Sequence, residues 1–189
     1  MASYIESELN GSADVLRATA SAFPQLLAAI TELLTECLET GHKIMLCGNG
    51  GSAADAQHVA TELLARYKRE RRSLPAIALG TDVTFLTAMA NDYNFAEVFA
   101  RQVEGLGQPG DVLWAFSTSG NSENVLRAAE VSQTRGLTRI GFTGRDGGKL
   151  RNAVDMCLCI PSDDTPRIQE AHMAVAHVIC DLLERAFAE

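Results

Sequence analysis

The sequence lacks any apolar run long enough to cross a bilayer, which takes about 20 residues in a helix. Its first ten residues, MASYIESELN, are polar and acidic, so we expect neither a signal peptide nor a membrane anchor. Basic residues are also scarce, since 16 Lys and Arg stand against 24 Asp and Glu for a net charge of −8. Binding of nucleic acid needs a basic face, and this deficit therefore argues against nucleic acid as the main partner.

Paired cysteines are missing as well. The chain has five cysteines, and no two of them have the CxxC spacing of a zinc site or a redox pair. A reducing, cytoplasmic location is the simplest interpretation of these free thiols. What is present is a chain of 189 residues that is 47% hydrophobic. This length suits one domain with a sizeable core and leaves little room for a second.

Short apolar runs alternate with helical patterns along most of the chain. The runs are apolar on both faces, which is typical of strands in a parallel sheet covered by helices. They span residues 43–48, 74–80, 111–118, 138–144 and 156–161. Helices are predicted between and after them, over residues 51–67, 83–104 with a break near Asn91, 122–136 and 166–187. We therefore predict an α/β fold, a three-layer sandwich with a five-stranded parallel sheet flanked by helices.

Two helical patterns precede the first strand, over residues 3–21 and 25–40. Gly11 is expected to break the first of them, because glycine destabilises helix interiors. We expect residues 1–41 to form a helical extension, either a lid on the sheet or part of an oligomer interface, and we favour the interface. Residues 42–189 would then form the α/β core of a single domain.

The first strand runs into a glycine-rich loop, Gly48-Asn49-Gly50-Gly51-Ser52-Ala53, and then directly into a helix. Glycines let the backbone approach a ligand, and the start of a helix offers unpaired N–H groups. The loop matches the dinucleotide pattern G-x-G-x-x-A, but the acidic residue expected about 20 positions later is missing, which weakens that interpretation. A ligand-binding loop is favoured over a turn without a ligand.

The third strand ends in a loop rich in hydroxyl groups, Ser117-Thr118-Ser119-Gly120-Asn121-Ser122, which opens a helix. Hydroxyl and backbone donors at the positive end of a helix dipole favour a phosphate group. One hydroxyl would suffice for a helix cap. Since no Gly-Lys-Ser/Thr follows, we predict the phosphate of a metabolite rather than of a nucleoside triphosphate.

Two helices carry side chains that could hold a divalent metal. His58 and Glu62 lie four residues apart on one helix face, and Gln169 and His177 lie eight apart on the last helix. On its own, the first pair is more typical of a surface hydrogen bond, and His177 of a core or interface histidine. The two pairs together modestly favour a metal site.

For two polar segments, the residues alone fit two interpretations. Asn91-Asp92 is about as typical of a helix cap as of a substrate contact. The basic run at 66–72 is typical of a solvated face and could also attract an anionic metabolite.

Taken together, four motifs resemble the sugar isomerase (SIS) domain family, and within it the branch that isomerises heptose phosphates. They are CGNGGSAADAQHVATEL (47–63), MANDYNF (89–95), FSTSGNSENVL (116–126) and RIQEAHMAVAH (167–177). The resemblance covers essentially residues 1–189 as a single SIS domain. It implies a homotetramer with active sites at subunit interfaces. The implied reaction converts sedoheptulose 7-phosphate to D-glycero-D-manno-heptose 7-phosphate through an enediolate, the first step of nucleotide-activated heptose biosynthesis.

The resemblance also implies roles for individual residues. Those implied to contact the sugar phosphate are Asn49, Gly50, Gly51, Ser52, Glu62, Asn91, Asp92, Ser117, Thr118, Ser119, Ser122 and Gln169. Those implied to hold one zinc ion per subunit are His58, Glu62, Gln169 and His177. As a hypothesis, Glu62 removes the carbon-bound proton and His177 exchanges protons with the oxygens. One departure is Glu123, where a carboxylate disfavours a nearby dianion unless it points to solvent.

A second function comes from a different class. A related bacterial SIS protein is a non-catalytic tetramer that binds the replication initiator protein. That branch lacks the residues matching Glu62 and His177. Because this sequence has both, the enzyme is favoured.

Overall fold

The structure is a computed structural model that describes residues 1–188. The five predicted strands are all present, with these bounds: β1 Ile44–Cys47, β2 Ala76–Ala78, β3 Val112–Phe116, β4 Thr138–Gly144 and β5 Met156–Ile160. They form one parallel sheet in the order β2-β1-β3-β4-β5. The predicted parallel sheet is therefore confirmed, although most strands are shorter than the apolar runs that predicted them.

Seven α-helices surround this sheet: α1 Ala2–Ala22, α2 Pro24–Glu39, α3 Gly51–Leu64, α4 Val83–Asp92, α5 Val98–Leu106, α6 Glu123–Thr134 and α7 Thr165–Phe187 within the described residues. Short 3-10 turns span Phe95–Glu97 and Leu150–Asn152. The break near Asn91 is confirmed, because α4 ends one residue later. The break at Gly11 is wrong: α1 continues through it, where its packing against α7 outweighs the intrinsic cost of one glycine.

The core consists of two apolar layers, one on each face of the sheet. Alternate strand residues such as Leu46 and Trp114 pack on one face against α2, α3 and α7. Their neighbours Met45 and Leu113 pack on the other against α5 and α6. Side chains on a strand point alternately to the two faces, and both faces are covered here. For this reason the strands are continuous apolar runs in the sequence.

The strand order places a crevice at the carboxyl ends of β1 and β3. From β1 the chain passes through α3 to β2 on one side, and from β3 it passes through α6 to β4 on the other. Helices α3 and α6 lie on opposite faces of the sheet. In open α/β sheets such a switch point is where ligands bind. Over residues 1–188, no helix has the length and apolar character needed to span a membrane.

Candidate active site

The glycine loop and the hydroxyl loop lie side by side in the crevice, since they follow the neighbouring strands β1 and β3. The side-chain amides of Asn49 and Asn124 join them through two reciprocal hydrogen bonds of 2.8 Å each. Asn124 is only 3% exposed, so the pair is largely shielded from competing water. The two predicted ligand loops are thus held together as one surface.

The glycine loop can turn tightly because glycine has no side chain, and the backbone there leaves no room for one. Gly50 has a φ of +55°, a left-handed conformation that glycine adopts without strain. A side-chain carbon on Gly48 would lie 2.6 Å from the carbonyl oxygen of Ser52. The loop therefore leads straight into the first turn of α3, where backbone N–H groups are free of helical partners. Ser52 itself is buried.

The hydroxyl groups of the second loop are not used as helix caps. Ser122 occupies the N-cap position of α6, yet its side chain makes no capping hydrogen bond. The Ser117 and Ser122 hydroxyls instead bond to each other over 3.0 Å. Ser119 accepts a local bond from the Asn121 N–H. The loop thus presents hydroxyls and the start of a helix at one place, as an anion site requires. Glu123 is exposed, which limits its repulsion of a bound anion.

Three potential metal ligands converge where α3 lies beside α7. The Nε2 atoms of His58 and His177 are 3.0 Å apart, and His58 Nε2 lies 3.2 Å from the Glu62 Oε1 atom. Nitrogen and oxygen ligands of a tetrahedral zinc ion, at bond lengths of about 2.1 Å, lie about 3.4 Å from one another. The donor types and their spacing therefore fit a divalent metal site.

Burial controls the protonation of two groups at this site. It lowers the pKa of His177, and the neighbouring His58 lowers it further. A neutral imidazole offers a lone pair to a proton or a metal. Burial raises the pKa of Asp55 to about 6, and one of its carboxylate oxygens is buried without a hydrogen-bond partner. Sequence reasoning missed Asp55, although it precedes His58 by three residues on the same helix face. It also missed Asn124.

Gln169 lies at the other end of the same helix pair. A side-chain carbon on Gly51 would lie 2.6 Å from the Gln169 amide nitrogen, which places this amide beside the glycine loop. Eight residues separate Gln169 from His177, a rise of about 12 Å along α7. Within one subunit, Gln169 thus borders the sugar side of the site, and its role as a metal ligand stays a prediction.

Asn91 and Asp92 end α4 and are both exposed, with the Asn91 amide donating to the Asp92 carboxylate over 2.7 Å. The residues that follow them, 94–96, border a cavity of about 300 Å³ together with Asn49 and Ser122. This segment therefore reaches the mouth of the crevice. Contact of Asn91 and Asp92 with a sugar stays a prediction.

The comparisons with known proteins agree with one another. The family model "SIS domain" matches residues 9–144. The phosphoheptose isomerase of Roseiflexus sp. is 50% identical over 98% of this chain and 94% of its own length. That of Helicobacter pylori strain P12 is 52% identical over 97% of this chain and 96% of its own. A solved structure of phosphoheptose isomerase from Neisseria gonorrhoeae superimposes with a TM-score of 0.92 at 40% identity, covering 97% of this chain and 98% of that one.

Proposed function

We infer the chemistry of this site from the family to which the chain belongs, the SIS domain family, and within it from the phosphoheptose isomerases. The chain is an aldose–ketose isomerase that acts on sedoheptulose 7-phosphate. The observation that carries the proposed mechanism is the convergence of His58, Glu62 and His177, in a chain that also carries the two joined loops of the crevice. Binding to a replication initiator is not favoured, because its branch lacks the carboxylate and the second histidine.

The isomerisation moves one proton between neighbouring carbons and redistributes protons on two oxygens. We propose that Glu62 takes the carbon-bound proton and returns it to the neighbouring carbon. Its side chain is 17% exposed, so it is accessible to substrate yet largely shielded from water. His177 would exchange the proton between the two oxygens, since its lowered pKa keeps the imidazole neutral and able to accept. Such general base and acid groups each contribute about 10²–10⁴-fold.

The two joined loops would hold the rest of the substrate. The phosphate would lie at the start of α6, bound by the Ser117, Thr118, Ser119 and Ser122 loop. Asn49, Gly50, Gly51 and Ser52 would line the sugar, with Gln169 beside them and Asn91 and Asp92 at the mouth. Anchoring the phosphate fixes the distance of the reacting carbons from Glu62, which lowers the entropic cost of the reaction.

One zinc ion per subunit fits the donor set of His58, Glu62 and His177, with Gln169 as the fourth proposed ligand. When bound, zinc would supply Lewis-acid polarisation of the substrate carbonyl. A carboxylate that binds a metal is a weaker base. Glu62 would therefore serve both as ligand and as base, and His177 both as ligand and as proton carrier.

Residues 1–41 are proposed to help form a homotetramer with active sites at subunit interfaces. Helices α1, α2 and α7 border an apolar groove of about 520 Å³. Val178 and Leu182 of α7 are 53% and 40% exposed there, and exposed apolar surface of this kind is typical of subunit contacts. Mass measurement by light scattering tests this, with Val178→Asp expected to yield smaller species. We also propose a cytoplasmic location, which the five free cysteines favour.

The decisive experiment follows sedoheptulose 7-phosphate by NMR with the purified protein, with zinc added and with a chelator. We expect the anomeric proton of an aldose heptose 7-phosphate to appear with zinc. Glu62→Gln should keep the fold and abolish turnover, because it removes the base while preserving shape. Absence of turnover by the folded wild-type tetramer under both conditions would overturn the proposed function. Full activity of Glu62→Gln would remove Glu62 from the base role.

A further inference from the structure

A buried carboxylate binds the segment that follows α3. Glu184 of α7 is fully buried, and an isolated buried charge is costly. Its oxygens accept backbone hydrogen bonds from Tyr67, Lys68 at 2.7 Å and Arg69 at 2.9 Å. Burial alone would raise the pKa of Glu184, but these three N–H groups and Arg71 hold that pKa below its ordinary value.

Arg71 connects Glu184 to the helix that carries the proposed base, Glu62. Its guanidinium lies 3.7 Å from the Glu184 carboxylate, and its side chain is 1% exposed. It also donates a hydrogen bond of 2.6 Å to the backbone carbonyl of Glu62. The basic run is therefore only partly a solvated face, because one of its cations is buried against an anion of α7. Glu184 is thus tied to the end of the helix that carries Glu62.

The same carboxylate fixes an aromatic ring against His177. The rings of Tyr67 and His177 are stacked, with centroids 5.3 Å apart and planes inclined by 13°. Lys68 Nζ lies 4.6 Å from the centroid of the Tyr67 ring, a favourable cation–π distance. The imidazole also contacts the ring of His58, whose centroid is 5.2 Å away and whose plane is inclined by 66°. Two rings therefore contact His177.

We propose that Tyr67 is a positioning residue for His177, and that Glu184 holds Tyr67 in place through the backbone. The stacked ring limits rotation of the imidazole and keeps its Nε2 atom directed at His58 and Glu62. This inference rests on the proposed function for its catalytic consequence, but not for its geometry. A ring fixed by backbone hydrogen bonds gives the pre-organisation that proton transfer needs.

The side chain of Tyr67 can be changed without removing its backbone hydrogen bond to Glu184. Tyr67 donates to Glu184 through its backbone N–H, which every residue except proline retains. Tyr67→Leu therefore removes the stacked ring while keeping the hydrogen bond, and Tyr67→Phe keeps both. These two variants are a matched pair, and their unfolding midpoints show whether the fold is preserved.

The test measures the stacking contact by NMR and its catalytic consequence by kinetics. With only four histidines in the chain, the ring protons of His177 can be assigned by NMR in the metal-free protein. We expect Tyr67→Leu to lose the ring-current shift of these protons, and Tyr67→Phe to keep it. Turnover should fall together with the ring-current shift. We expect kcat of Tyr67→Leu to be reduced on the order of 10- to 100-fold and KM to change far less. Tyr67→Phe should remain close to the wild type in both parameters.

Two results would overturn the inference. One is unchanged His177 resonances and kcat in Tyr67→Leu. The other is a loss in Tyr67→Phe as large as that in Tyr67→Leu, which would assign the effect to the hydroxyl and not to the stacked ring. An inactive wild-type enzyme would refute the proposed function alone, because the NMR signature does not depend on turnover.

Discussion

The Nε2 atoms of His58 and His177 lie 3.0 Å apart, although 119 residues separate the two histidines along the chain. One belongs to the helix after the first strand and the other to the last helix. Two ring nitrogens this close must either share a proton, one donating and one accepting, or bind a common cation. The arrangement makes this pair the most direct target for experiment.

Substitution of His58 tests the metal site. We expect His58→Asn to lose bound zinc and turnover together, because removing one of three converging ligands weakens coordination. The fold should survive, since the side chain is 49% exposed. Metal content per subunit and circular dichroism measure the two effects. His42→Asn, at the opposite end of the sheet, is the control and should retain zinc. Full zinc content in His58→Asn would contradict the assignment.

Asn124→Ala tests the link between the two loops. It removes two part-buried hydrogen bonds to Asn49, and each is worth about 0.5–1.5 kcal/mol. We expect the free energy of unfolding to fall by about 1–3 kcal/mol and KM for the sugar phosphate to rise as the loops separate. In urea titrations, Asn49→Ala combined with Asn124→Ala should cost less than the sum of the single changes. Strict additivity would show that the amides are not coupled.

His172 makes stability depend on pH. It is fully buried, donates from Nε2 to the Thr143 carbonyl, and burial lowers its pKa to about 4 from 6.5. Its contribution is therefore complete above pH 6.5 and is lost as the pH falls from there towards 4. The full difference corresponds to about 3 kcal/mol, of which about 1 kcal/mol is lost between pH 7.5 and 5.5.

Urea unfolding at several pH values measures this loss. The variant His172→Gln keeps an N–H donor for the Thr143 carbonyl but cannot take up a proton. We expect its free energy of unfolding to decline less steeply with falling pH than that of the wild type. Identical slopes for the two proteins would exclude His172 as the source.

Cys159 should be the most reactive thiol. Its sulfur lies 3.7 Å from that of Cys157 on the same face of β5, and the hydrogen bond from the Cys157 thiol lowers the pKa of Cys159 below its ordinary value. The Cys157 pKa is correspondingly raised. Burial raises the pKa of Cys47 and Cys180 to about 12. Since the thiolate is the nucleophile, iodoacetamide at pH 7 should modify Cys159 first, as peptide mass spectrometry would show.

Replacement of the donor provides the control for this prediction. Cys157→Ala removes the thiol that stabilises the Cys159 thiolate, so the pKa of Cys159 should rise and its alkylation at pH 7 should slow. Faster or equal alkylation in Cys157→Ala would show that exposure, and not the paired thiol, controls the rate.

The fold and the position of the two polar loops could be predicted because their signals are local. A strand covered on both faces is apolar throughout, and the Ser117–Ser122 loop carries its donors within six residues. Helix ends were less predictable: α3 ends at Leu64, whereas its pattern extends to 67. The helix ends there because the backbone N–H groups of residues 67–69 donate hydrogen bonds to Glu184, which is distant in sequence. The break expected at Gly11 failed for a related reason, since packing against α7 is not encoded next to the glycine.

The sequence by itself determined the parallel α/β architecture, the two polar loops at the strand ends and the residue types able to bind metal and move protons. Hydrophobic periodicity and the residue types of a loop are properties of a few neighbouring residues. They can therefore be recognised in a single sequence. The family resemblance implied that His58, Glu62 and His177 meet, but only the tertiary structure gave their geometry. It alone showed that Asn49 pairs with Asn124 and that Tyr67 stacks on His177. These contacts depend on how α3 and α7 pack and on the order of β1 and β3, and packing is a property of the whole core.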